Sequence, residues 1–133
     1  MRYMYSLFGE EGGMEDVSPE DMKAELDRWE AFGQEAFKAG VLVAGDALQE
    51  SSTATTFRIQ EQGDPIVSDG PFVETKEQLG GYYVLDCKDL DEALEWGKKI
   101  PLRSGSIEVR PVMDFSEYGY QNPLHSEEAS RTA

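Results

Sequence analysis

The chain opens on RYMYSLFG, an aromatic and apolar run closed by glycine, which predicts a short buried strand. The glycines and acids of EEGGMEDV then read as a loop. Ser18-Pro19-Glu20-Asp21 has the chemistry of a helix start. Serine accepts from free backbone N–H groups, proline is tolerated at the first helical position, and acids suit the positive end of the dipole. Met22, Leu26, Trp29, Phe32, Ala36 and Phe37 follow mostly at three- and four-residue steps, predicting one apolar face of a long helix that stops at Gly40.

Val41–Ala44 predicts a short strand that Gly45-Asp46 interrupts. From Thr53 to Gln60 the side chains alternate, with Thr55, Phe57 and Ile59 on one face. Gly63-Asp64-Pro65 is a turn, and Ile66-Val67-Ser68 returns as the hairpin partner. Leu79–Cys87 is rich in strand formers, and Glu74–Gln78 before it has helical character. Asp89-Leu90-Asp91-Glu92 resembles a capping box with Asp in the serine role. It opens a second helix with Leu90, Ala93, Leu94, Gly97 and Ile100 inward, ended by Pro101. Ser106–Val112 is the last strand.

The predicted order is β-α-β-β-β-β-α-β. Without the central hairpin it becomes the ferredoxin-like arrangement, an α+β fold with two helices on one face of an antiparallel sheet. Tyr3, Tyr5 and Leu7 alternate with Met4 and Phe8, so both faces of the first strand carry apolar residues. A sheet wetted on one side alternates with polar residues instead. The expectation is therefore a homodimer, a second copy closing over the free face. Residues 1–113 form the domain, and residues 114–133 read as a partly flexible tail whose Phe115, Tyr118 and Tyr120 are available as anchors.

Composition narrows the function classes. The 133 residues carry 27 Asp and Glu against 12 Lys and Arg, a formal charge of −15. Residues 1–50, 51–113 and 114–133 are each net negative, so no basic half is hidden. Binding to nucleic acid or an anionic membrane gains by counterion release to basic side chains, and both partners are poor expectations here. No apolar stretch reaches the length of a membrane span. The acidic turn after residue 9 argues against a signal peptide, and the single cysteine, Cys87, suits a reducing, cytoplasmic setting.

The most distinctive segment runs from Ser68 to Tyr83, SDGPFVETKEQLGGYY. Asp69-Gly70-Pro71 is a turn signal on local grounds. The paired Gly80-Gly81 weakens the strand and leaves room for a ligand or a backbone to approach. One reading is a turn and a bulge; the other places Asp69 at the mouth of a pocket with Glu74 and Lys76 nearby. Here the chain resembles the YCII-related superfamily, in its DGPF branch, on Asp69-Gly70-Pro71-Phe72. RYMYSLFG, GVLVAG from Gly40, Thr53-Ala54-Thr55-Thr56, DGPFVETKEQLGGYYVLD, DLDEAL from Asp89 and IEVRPV from Ile107 carry the likeness over roughly residues 1–113. The resemblance implies a dimeric α+β barrel of ferredoxin-like subunits. A His–Asp pair is the suggested active site in the wider superfamily, whereas the sole histidine here, His125, lies in the tail.

The resemblance leaves two functional readings. The first is a cofactor-free acid/base enzyme acting on a small organic substrate. Asp69 is its central carboxylate and Asp46 the second candidate, since a carboxylate serves as base or acid when its surroundings raise its pKa. Arg110 is the candidate for a bidentate grip on an anionic substrate, or else the cross-strand partner of Glu108. Lys76 neutralises an anion or stays solvated. Tyr82 and Tyr83 point to opposite faces, so at most one lines a pocket. The second reading is a noncatalytic ligand-binding or regulatory dimer, since DGPF relatives are often encoded beside extracytoplasmic-function sigma factors. No metal site, Ser-His-Asp triad, EF-hand or nucleotide-binding glycine loop has its parts in the sequence. Cys87, without a nearby His or second Cys in sequence, reads as a packed thiol.

Overall fold

The computed structural model describes residues 1–13 and 16–123. Its strands are β1 (Arg2–Glu10), β2 (Leu42–Ala47), β3 (Thr55–Arg58), β4 (Ile66–Asp69), β5 (Glu77–Asp86) and β6 (Ser106–Pro111). Helix α1 spans Pro19–Lys38 and α2 spans Leu90–Gly97. The element order is the one the sequence pattern predicts. Four strands form an antiparallel sheet in the order β2-β5-β1-β6, and β3 with β4 makes a separate hairpin. Both helices cover one face, so the fold is α+β and ferredoxin-like. Among the described residues no helix is long and apolar enough to cross a membrane.

Alternation along β1 decides what the core contains. Tyr3, Tyr5 and Leu7 are buried toward the helices with Phe32, Ala36, Val41, Leu85, Cys87, Ala93 and Ile100. Tyr5 is fully enclosed, and its hydroxyl donates to the Ala93 carbonyl at 2.6 Å, which ties the central strand to α2. A buried phenol needs such a partner. Cys87 is packed 3.9 Å from the same hydroxyl, as a free thiol. Both helix starts carry their expected caps: Ser18 Oγ accepts from Asp21 N at 3.1 Å, and Asp89 Oδ1 from Glu92 N at 2.9 Å.

Four local expectations are corrected. On α1, Leu26 and Phe37 face solvent; the inward line runs through Met22, Glu25, Trp29, Phe32 and Ala36. A polar residue holds an inward position because Glu25 is satisfied there, accepting from Arg28 and Arg103 and from Trp29 Nε1 at 3.2 Å. On α2, Leu90 and Leu94 are exposed, and Trp96 takes the inward place beside Ala93; the helix ends at Gly97, before Pro101. Glu74–Gln78 is not helical, because the Gln78 side chain donates to the Val73 and Thr75 carbonyls and Glu77 already belongs to β5. Finally, Gly45-Asp46 does not interrupt β2.

The reason lies across the sheet. Gly45 stands opposite Tyr83, whose ring lies where a side chain would be: a Cβ at Gly45 would come within 2.4 Å of Tyr83 Cδ1. The glycine admits the ring, which packs edge-on against Phe32 at 5.0 Å and stacks near Trp29 at 6.5 Å. Phe115 and Tyr120 make an edge-to-face pair at 6.2 Å beyond β6. The remaining part of the expected tail, 124–133 with His125, lies outside the described residues.

Candidate functional site

The sheet face opposite the helices is a ruled array of side chains. Strand register places Asp46 of β2, Tyr82 of β5, Ser6 of β1 and Glu108 of β6 in one row across all four strands. The adjacent row is Ala44, Val84, Met4 and Arg110. The first row is polar throughout, and the second is apolar except for its arginine. Phe8, one step beyond Ser6, is only half-buried.

Two contacts organise this face. The Tyr82 hydroxyl donates to Asp46 Oδ2 at 3.0 Å. That hydrogen bond, and then the Asp46 charge, push the Tyr82 hydroxyl up from its ordinary value. At the other end of the row, Arg110 donates to Glu108 Oε1 at 2.6 Å. The in-strand carboxylate two residues away is thus the arginine's present partner, and both side chains are largely exposed. Tyr83 turns to the helix side, as alternation requires, and its hydroxyl is pushed up by burial.

Asp69, Glu74 and Lys76 lie elsewhere. Asp69 closes β4 opposite Thr55 and is exposed. Gly70 follows with φ of +96°, a conformation that side chains resist, and its N–H donates to Ala54 at 2.7 Å. Beyond this turn is an open cavity of about 520 Å³ whose lining includes Gly70, Pro71, Glu74 and Lys76, with Glu10 and Glu11 from the end of β1. Asp69 is not among its lining residues. Lys76 is 3.2 Å from Glu10, and Glu11 accepts from both the backbone and the hydroxyl of Ser51.

The structure therefore brings Asp46 and Tyr82 together, sets Arg110 on the same face, and gathers Glu74 and Lys76 at a different cavity. Sequence reasoning missed Ser6, which sits between Tyr82 and Glu108. Its signal was a single hydroxyl in the otherwise aromatic and apolar run YMYSLF.

An antiparallel sheet in the order β2-β5-β1-β6 with both helices on one face defines a class of small ferredoxin-like α+β proteins. The chain belongs to the YCII-related domain family, whose pattern it matches over residues 1–116. It is also 36% identical over 115 residues to the uncharacterized protein R00369 of Rhizobium meliloti (strain 1021), covering 84% of this chain and 92% of that protein.

Proposed function

We propose that this YCII-related protein is a homodimer that holds a small organic molecule against the open sheet face and exchanges a proton with it through Asp46 and Tyr82. The observation that carries this reading is the 3.0 Å hydrogen bond between the two side chains. Asp46 takes a proton from the substrate and returns it, and the Tyr82 hydroxyl, whose single hydrogen goes to Asp46 in the free protein, turns to donate it to a substrate oxygen when the ligand binds. Arg110, one row away, holds an anionic substituent when it exchanges Glu108 for the ligand. No cofactor is needed for such a transfer.

This reading moves the central carboxylate from Asp69 to Asp46. Asp69 keeps the role of a turn residue, with Glu74 and Lys76 at the neighbouring cavity. The Asp69-Gly70-Pro71-Phe72 turn supports membership of the DGPF branch. The partner copy is supported by Met4, Phe8, Leu79 and Val84, apolar side chains on or beside a face that no helix among the described residues covers. A buried free thiol at Cys87 supports a reducing, cytoplasmic setting.

The test is a thermal-shift screen of wild type, Asp46→Asn, Tyr82→Phe and Asp69→Asn against small hydroxy- and oxo-acids, with turnover assays on each hit. A native-state ligand raises the melting temperature by mass action. The reading expects shifts that Asp46→Asn and Tyr82→Phe abolish and Asp69→Asn preserves. Loss in Asp69→Asn alone would restore Asp69 as the centre. Binding without turnover would make the protein a ligand-sensing dimer, and a monomeric mass at micromolar concentration would remove the partner copy.

A further inference from the structure

One part of the chain stands outside the packed body. The hairpin of β3 and β4 is its own two-stranded sheet, and apart from half-buried Thr56 every residue of both strands is exposed. Two strands alone are marginal in water and persist when an apolar face is packed against something. Here both faces are apolar and bare. Phe57 and Val67 stand directly opposite each other on one face, 62% and 67% exposed, and Ile59, just past β3, is exposed too. Ile66 lies on the other face opposite Arg58, whose guanidinium sits 5.8 Å from the centre of the exposed Phe72 ring. With Val73 these side chains present roughly 600 Å² of apolar surface, the top of the range for the largest patch on a monomer. Two such arms together come to about 1,200 Å², the lower bound of a specific interface.

Charge selects the occupant. The chain carries a formal charge of −15, yet residues 53–60 and 65–73 hold one cation, Arg58, and one anion, Asp69. Two acidic copies therefore repel least where their arms meet. Arg58 closes β3 near the tip of the hairpin, and Asp69 closes β4 at its base. When two arms lie antiparallel about a two-fold axis, the Arg58 end of one meets the Asp69 end of the other, and the contact is self-complementary. The tip, Glu61-Gln62-Gly63-Asp64, carries two acids, which disfavours burial in a lipid surface.

We infer that the β3–β4 hairpin is an arm by which two copies of this chain hold each other, the Phe57–Val67 face of one against the same face of the other. The inference rests on the homodimer proposed above and gives it a contact separate from the open sheet face.

The experiment is sedimentation equilibrium of the full chain. Wild type should be a dimer at micromolar concentration. Val67→Lys should raise the dimer dissociation constant roughly a hundredfold or more, since the axis sets two lysines together, and Phe57→Ser should weaken the dimer as well. Both variants should keep the wild-type near-ultraviolet circular dichroism, because neither residue belongs to the core. A short bismaleimide reads the geometry, with the native thiol of Cys87 buried. Val67→Cys should cross-link into dimers. Gln62→Cys at the tip should not, its two copies lying about 30 Å apart at the usual strand rise. A dimer undiminished in Val67→Lys and Phe57→Ser would overturn the arm and leave the sheet face as the dimer contact. Cross-linking at the tip as fast as at position 67 would refute the antiparallel arrangement. A monomeric wild type would remove the arm and the homodimer together. Wild type that cosediments with phosphatidylcholine vesicles while Val67→Lys does not would replace the second copy with a lipid surface.

Discussion

Replacing Gly45 with alanine adds one methyl group at a place where a tyrosine ring already lies. The new Cβ would come within 2.4 Å of Tyr83 Cδ1, 2.7 Å of Cε1 and 3.3 Å of the Tyr82 carbonyl oxygen. The ring has little freedom to yield, because Phe32 and Trp29 pack against it and Phe32 is itself in the core. Over-packing of this kind costs about 1–3 kcal/mol, and a displaced aromatic contact adds about 0.5–1.5 kcal/mol. A total near 2–4 kcal/mol is expected. Urea unfolding of wild type and Gly45→Ala would read it as a lower midpoint at constant slope. The same substitution in a Tyr83→Leu background should cost markedly less, since the two residues are in contact and their effects should not add. A Gly45→Ala effect within about 0.5 kcal/mol of zero, or full additivity with Tyr83→Leu, would refute the claim that the glycine exists to admit the ring.

Two further outcomes follow from the buried phenols and thiol. Burial pushes the hydroxyls of Tyr5 and Tyr83 up from the ordinary value, so the folded chain holds these protons more tightly than the unfolded one. Their contribution to stability is therefore full below pH about 10 and falls as pH rises through the raised folded values. Urea midpoints should decline above that pH, and a Tyr5→Phe, Tyr83→Phe variant should lose most of the decline; an unchanged slope in the variant would contradict the assignment. Burial likewise pushes the Cys87 thiol up, although the hydrogen bond with Tyr5 opposes it. Cys87 should resist a thiol-reactive disulfide reagent in the folded chain at neutral pH and react at once in urea, whereas rapid labelling of the native protein would show an open core.

The element order was legible because each segment carries its own period and punctuation. Ser18 and Asp89 announce their helices, and RYMYSLFG and the alternation after Thr53 announce strands without reference to the rest of the chain. What failed depended on neighbours distant in sequence. Glu25 belongs on the inner face of α1 only because Arg28, Trp29 and Arg103 converge on it, and Leu26 looks inward only when hydrophobicity is read without the exact helical phase. Gly45 reads as a strand breaker until Tyr83 is set opposite. The candidate site behaved the same way. Asp46, Tyr82 and Arg110 each stood out individually, yet the strand register that puts them on one face is a tertiary fact. Asp69 drew attention through turn chemistry, which is local and therefore visible.

The strand order also constrains how the chain is made. β1 lies in the middle of the sheet, yet its partners are β5 and β6, residues 77–86 and 106–111. The first strand of this domain to leave the ribosome is thus the one that must wait longest, roughly 5–20 s at ordinary synthesis rates. During that interval Tyr3, Tyr5 and Leu7 have no sheet to join, and α1 alone can form from local contacts. The architecture ties the earliest apolar segment to the last-made strand, so closure of the core is an event of the completed domain and any truncation before β6 leaves an aromatic strand unpaired on one edge.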